Sequence, residues 1–197
     1  TPKKPGTWGG IVTPSYFMEF RKSLDVDKEP VLGIMEDAFD RFEKATGREY
    51  NLIETYNLDN SSKMAFVTMG SMSGNIISWM TKNPDVGLIK IRAFRPFPYE
   101  KLRKLVEDHG LEKLIILEKS DSLNGMLPPF SMSVASALYP LGTLFRSFIV
   151  GLGGRDVTRD ELAVAKRKME SVNDMNGKLY MYLGVRETKD KIYGINM

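Results

Sequence analysis

Cysteine is absent from this 197-residue chain. Its absence excludes a disulfide framework, a thiolate zinc site and protein ligands for an iron–sulfur cluster. One histidine is too few for a multi-histidine metal site, and no metal ligation is expected. No apolar run approaches the roughly 18 residues of a membrane span. No basic segment followed by an apolar core opens the sequence, so no signal peptide is expected and the cytoplasm is the expected location. A dominant charge is missing too: 28 Lys+Arg against 25 Asp+Glu leave +3, with the signs interspersed. That pattern offers neither a nucleic-acid footprint nor a membrane-binding patch. A first residue of Thr rather than Met is expected of a processed product or a piece of something longer.

The composition that is present, 42% hydrophobic and 27% charged, is that of a globular chain with a core. Residues 1–14, TPKKPGTWGGIVTP, read as an extended arm with Trp8 as its anchor. Residues 15–46 read as helical. Ser15 can cap; Tyr16, Phe17, Phe20 and Leu24 follow at helical spacing. Pro30 divides the segment, with Asp27 a candidate cap for the second helix. Val31, Ile34, Met35, Ala38, Phe39 and Phe42 then form an apolar stripe, read as core packing, and Gly47 is placed to end the helix.

From residue 64 short apolar runs alternate with helical segments. Strands are expected at 64–69, 86–94, 111–120 and 145–154; helices are expected from 75, at 98–110, at 130–139 and at 158–172. Thr158 and Glu161 make a capping box for the last helix. Such alternation indicates βαβ units and a mainly parallel sheet, and runs such as LIIL and FIV indicate burial on both faces. The residues alone therefore predict a three-layer α/β domain over 60–175, an arm and helical connector over 1–59, and a tail over 176–197 holding a short edge strand or hairpin.

Four segments carry chemistry. GSMSG (70–74) joins a strand to a helix. Gly70, Ser71, Ser73 and Gly74 fit an anion at a helix N-terminus, but they equally fit a tight connection. Arg92 and Arg95 stand at the end of a strand, suited to a phosphate or carboxylate, to a subunit contact, or to stacking on Phe94 or Phe97. Glu118 and Asp121 form an acid/base pair in one reading; in the other, Asp121 and Ser122 cap the next helix. Gly151, Gly153, Arg155 and Asp156, in GLGGRDVT, suit close backbone approach and an interface. His109 reads as a helix C-terminal residue, and the 12 methionines read as core filler. No catalytic residue is assigned.

Taken in order, VTMGSMSG, GLIKIRAFRPFPYEKLRKL, LIILEKSDSLNG and FIVGLGGRDVT, preceded by GTWGGIVTPSYFMEFRKSL, resemble the C-terminal half of the alpha chain of pyruvate:ferredoxin oxidoreductases. These belong to the 2-oxoacid:ferredoxin oxidoreductase family, and the resemblance runs over roughly residues 5–165. It implies a transketolase C-terminal-like domain, α/β/α with a mainly parallel five-stranded sheet. It also implies a reaction: oxidative decarboxylation of a 2-oxoacid to acyl-CoA and CO2 on thiamine diphosphate, with electrons passing through iron–sulfur clusters to ferredoxin. The family's magnesium-binding Gly-Asp-Gly and its cluster cysteines are missing here. Thiamine diphosphate, magnesium and clusters are therefore expected on other parts of a multi-subunit complex, with coenzyme A as co-substrate. On this reading the chain supplies scaffold and subunit interface. Arg92, Arg95, Gly151, Gly153, Arg155 and Asp156 would line the approach to the active site, and the Ser71/Ser73 turn would meet an anion such as a coenzyme A phosphate. Two departures from the family pattern stand out: Pro30 and Gly33 interrupt the connector helix, and SDSLNGMLPP replaces a more glycine-rich loop. The alternative is a free-standing anion- or nucleotide-binding module with no redox role.

Overall fold

A computed structural model describes residues 2–6, 9–59 and 62–186. Trp8, the expected anchor of the arm, lies outside the described residues. The chain separates into two compact units, Thr1–Tyr50 and Asn51–Met197.

The first unit contains α1 (Pro14–Val26) and α2 (Val31–Thr46). Pro14 sits in the first turn of α1, where its missing N–H costs nothing. Thr13, not Ser15, is the N-cap. Asp27 closes α1 rather than opening α2; Pro30 stands at the N-cap of α2, which no side chain caps. Gly47 ends α2 in the left-handed region at φ 71°, as expected. One expectation fails: no residue of either helix is buried. Ile34 is 56% exposed and Phe42 41%, while Val31, Met35 and Phe39 are half-buried, so the stripe read as core is only partly covered.

The second unit is built on a six-stranded sheet: β1 (Ile53–Tyr56), β2 (Met64–Met69), β3 (Gly87–Ile91), β4 (Lys113–Glu118), β5 (Leu144–Ile149) and β6 (Tyr180–Tyr182). Their order across the sheet is β1-β3-β2-β4-β5-β6. β1 runs antiparallel to β3, and every other pairing is parallel. Helices α3 (Met72–Met80), α4 (Tyr99–Asp108), α5 (Pro129–Leu138) and α6 (Arg159–Glu170) connect the strands.

Alternation along the strands divides the core into two layers. Phe66, Leu88, Ile115, Leu117 and Phe148 face α3 and α6; Ala65, Val67, Ile89, Ile91, Leu114 and Ile116 face α4 and α5. This is why β2 and β4 are apolar through most of their length. The expected capping box is present: Thr158 Oγ1 accepts from Glu161 N at 3.2 Å and the Glu161 carboxylate accepts from Thr158 N at 2.7 Å.

The expected count of five strands becomes six, and the expected edges of the domain, 60 and 175, move outward. β1 brings residues 51–59 into the sheet; Leu52 is fully buried and its carbonyl accepts from Arg92 N at 2.9 Å. β6 is the edge strand foreseen for the tail. Its approach is fixed by Arg146, buried on β5, whose guanidinium donates to the carbonyls of Asp174 (3.1 Å) and Asn176 (3.0 Å). A buried guanidinium is tolerated where its donors are matched in this way.

Candidate functional site

The carboxyl ends of β3, β2 and β4 lie side by side. From β2 the chain first moves outward to β3 and then crosses back to β4 on the other side. Ligands gather at such a divergence in open α/β sheets. A cavity of about 490 Å³ opens there, lined by Met69, Gly70, Ser71, Met72, Phe94, Arg95, Leu117, Glu118, Lys119, Ser120, Pro129 and Phe130.

The GSMSG turn forms one wall. Gly70 holds φ 72°, a conformation that admits Gly at little cost. Ser71 is the exposed N-cap residue of α3, with no side-chain capping bond and no acidic residue in the first turn. Ser73 behaves differently from the two-hydroxyl picture suggested by the sequence. It is buried, and its hydroxyl donates to the Gly70 carbonyl at 2.8 Å. Its backbone N–H is also turned to Gly70 O, and that of Gly74 to Ser71 O at 3.1 Å. Of the four residues singled out in this turn, Gly70 and Ser71 line the cavity and Ser73 and Gly74 do not.

The opposite wall is organised by Glu118, a 5%-exposed carboxylate at the end of β4. It accepts from Phe130 N (2.8 Å), Ser131 N (2.9 Å), Ser131 Oγ (2.8 Å) and Ser120 Oγ. Ser131 Oγ also sits 2.7 Å from Ser147 Oγ, so the network ties β4, α5 and β5 together. Glu118 thus neutralises the N-terminus of α5 from a neighbouring strand. Capping by Asp121 and Ser122 is not what the structure shows, nor does Asp121 pair with Glu118. The loop closes on itself first: Asp121 Oδ1 accepts from Ser122 N at 2.6 Å and Gly125 N donates to Ser122 O at 3.1 Å. The Asp121 carboxylate instead hydrogen-bonds the Tyr182 hydroxyl and pushes that phenol up to about 12.

The arginines part company. Lys90 on β3 and Arg92, the residue just after that strand, both bind Glu54 of β1, Lys90 at 2.7 Å. Burial pushes the Glu54 carboxyl up, but the hydrogen bonds and charges of Lys90 and Arg92 outweigh it and hold the group below its ordinary 4.5. Arg95 is exposed, lines the cavity and stacks 4.6 Å from the Phe94 ring centroid. Stacking on Phe94 was one reading of the sequence. Gly151 (φ 63°) lies beside the cavity's second cation: a Cβ there would stand 2.9 Å from Lys119 Cε. Gly153 and Asp156 are exposed, and Arg155 donates to the Gly184 carbonyl. His109 is the C-cap of α4, as read.

Sequence reasoning missed Lys119 and the apolar lining from Met69, Met72, Leu117 and Phe130. The usable signal was positional: the last residues of adjacent parallel strands meet at one edge. The chain has no cysteine, and no three His, Asp or Glu residues converge among the described residues. This donor set does not fit an iron–sulfur cluster or a magnesium-held diphosphate, and no step through either is derived for these residues.

An open, mainly parallel sheet with helices on both faces and a cavity at its carboxyl edge defines an open-sheet α/β domain. Residues 62–162, just over half of the chain, match the family described as pyruvate:ferredoxin oxidoreductase core domain II, and the chain belongs to that family. It is 35% identical over 179 residues to pyruvate synthase subunit PorA of Pyrococcus abyssi, covering 86% of this chain and 44% of that one. It is 33% identical over 192 residues to the PorA subunit of Methanocaldococcus jannaschii, covering 94% and 47%. Ketoisovalerate oxidoreductase subunit VorA of Pyrococcus abyssi is 30% identical over 184 residues, covering 90% and 45%. The chain therefore spans less than half the length of these curated relatives. A solved 2-oxoglutarate:ferredoxin oxidoreductase from Magnetococcus marinus aligns over 61% of this chain and 20% of its own, with 15% identity and a TM-score of 0.44.

Proposed function

We propose that this chain supplies the C-terminal half of the alpha chain of a cytoplasmic 2-oxoacid:ferredoxin oxidoreductase, and that its second unit is a transketolase C-terminal-like domain. The assembled enzyme would oxidatively decarboxylate pyruvate, or a close 2-oxoacid, to acyl-CoA and CO2. Two electrons would pass to ferredoxin through clusters held by other subunits, and thiamine diphosphate and magnesium would be held there too. The part played by this chain is scaffold and subunit interface. Arg95, Gly153, Arg155 and Asp156 then border the approach to the active site, while Arg92 braces the sheet through Glu54.

The observation that carries this reading is the family match over residues 62–162, which spans the sheet from β2 into α6. The exposed Tyr16, Phe17 and Phe20 of α1 and Ile34 and Phe42 of α2 support the interface role, because exposed aromatic faces of this kind mark contacts with other protein. Pyruvate is favoured because the PorA relatives in hand are 29–36% identical and the VorA relatives 30–31%, with the highest values among PorA.

The test is affinity capture from the native source with the intact chain as bait. Masses and sequences of co-purifying chains are read together with coenzyme A-dependent, pyruvate-dependent reduction of a viologen dye. The expected result is capture of cysteine-rich and Gly-Asp-Gly-bearing chains, with turnover that is lost when this chain is omitted from reconstitution. Recovery of the chain alone, or full turnover without it, overturns the reading.

A further inference from the structure

We propose that the cavity at the carboxyl edge is a binding site for a small amphipathic anion, a carboxylate or phosphate borne on an aliphatic or aromatic body. At about 490 Å³ it falls within the range of small-molecule sites. Its wall is built from Met69, Met72, Leu117, Phe94 and Phe130, so the body it accepts is apolar. Thioether side chains adapt to varied shapes. Its polar groups are two cations, Arg95 and Lys119, the Ser71 hydroxyl, and the Glu118 carboxylate with the Ser120 hydroxyl that donates to it.

The charge balance decides the sign of the ligand. The carboxylate in the wall, Glu118, already accepts from two backbone amides and two hydroxyls. Those bonds commit it to the start of α5. Among the described residues neither Arg95 nor Lys119 forms an ion pair. Arg95 lies over the Phe94 ring, and the stem of Lys119 passes beside Gly151, where a Cβ would meet it. Two cations without an ion pair among the described residues, beside an apolar chamber whose acid is hydrogen-bonded elsewhere, favour an anionic head on an apolar body.

This inference concerns a cavity inside one unit of this chain and stands whether or not the proposed assembly is correct. It is tested on the full chain by calorimetric titration and ¹H–¹⁵N NMR. Phenylpyruvate and octanoate are the carboxylate probes, and 4′-phosphopantetheine is the phosphate probe. Acetate and inorganic phosphate report the head group alone. The result expected is saturable binding of at least one amphipathic probe, at least tenfold tighter than its bare head group, with amide shifts at 69–72, 94–95 and 117–120. Arg95→Gln with Lys119→Gln should weaken it at least tenfold. Ser71→Trp, a substitution at an exposed residue on the cavity wall, should block it while leaving both cations in place. Preference for 4′-phosphopantetheine would assign the head group as phosphate, and preference for the 2-oxoacid or fatty acid would assign carboxylate. Absence of binding by every amphipathic probe overturns the proposal. So does binding no tighter than acetate and phosphate, or binding unchanged in both variants.

Discussion

Residues 1–50 and the sheet unit carry the same kind of helical pattern but use it differently. In α2, Val31, Ile34, Met35, Ala38, Phe39 and Phe42 recur at helical spacing, as Leu162, Ala165 and Met169 do in α6. The α6 residues are completely covered by the sheet face that carries Phe148 and Leu117. Among the α2 residues Phe42 meets the Tyr50 ring at 5.5 Å, and none of them is buried. Periodicity therefore reports that a face is apolar. It does not report whether the covering surface belongs to the same unit. The contrast is physical: one region closes its own core, and the other buries no residue of either helix.

The largest effect expected is in the sheet. Phe148 is fully buried between β5 and the α3/α6 layer. Phe148→Ala removes most of an aromatic side chain from a close-packed core and should cost about 3–5 kcal/mol. Urea unfolding followed by fluorescence should show a lower midpoint with little change in slope; Trp79, edge-on to Phe66 at 5.7 Å, lies in this core. A loss below about 1 kcal/mol would mean that this layer is not a closed core, and the contrast between the regions would fail from that side.

A smaller effect is expected where the sheet unit begins. Glu54 on β1 binds Lys90 on β3 and Arg92 just after that strand, and its native carboxyl titrates below its ordinary 4.5. A depressed native value means the folded state favours the ionised form. The stabilisation is complete above the unfolded value and is lost as pH falls through the native one. Glu54→Gln should cost about 1–2 kcal/mol at pH 7, the scale of a charge-assisted hydrogen bond lost from a partly exposed site. It should also flatten the acid limb. Thermal unfolding between pH 7 and pH 3 tests both; an acid limb as steep in the variant as in the parent would detach β1 from the stability of the sheet.

The central sheet was legible in the sequence because both of its faces are buried. LIIL in β4 and FI in β5 are apolar throughout, and Thr158 with Glu161 announced the start of α6. β1 was hidden because it is an edge strand of four residues with a carboxylate in the middle. Only the cations that β3 places opposite Glu54 make that carboxylate acceptable. The cavity was half legible. Gly70, Ser71 and Arg95 stand out by type, but Glu118 reads from the sequence only as a partner of Asp121 in an acid/base pair. Its bonds to the amides of Phe130 and Ser131, 12 and 13 residues away, arise from topology, which local pattern does not encode. Lys119 carries no local signal for the same reason: it reaches the cavity only because β4 ends there, beside Gly151 of the loop after β5.

The smallest effect, and the sharpest use of the comparison, is expected on α1. Phe17 and Phe20 are 54% and 48% exposed, so replacing both by Ser removes little buried surface. For the chain alone the change in unfolding free energy should stay within about 0.5 kcal/mol. Exchanging exposed aromatic area for hydroxyls should also reduce self-association, measurable by sedimentation at rising concentration. A thermal or urea unfolding series on the double variant reads the first quantity directly. A loss above about 1.5 kcal/mol, well beyond that range, would place these rings in a core of this chain's own. The apolar stripe would then be packing, and the two regions would differ in degree only.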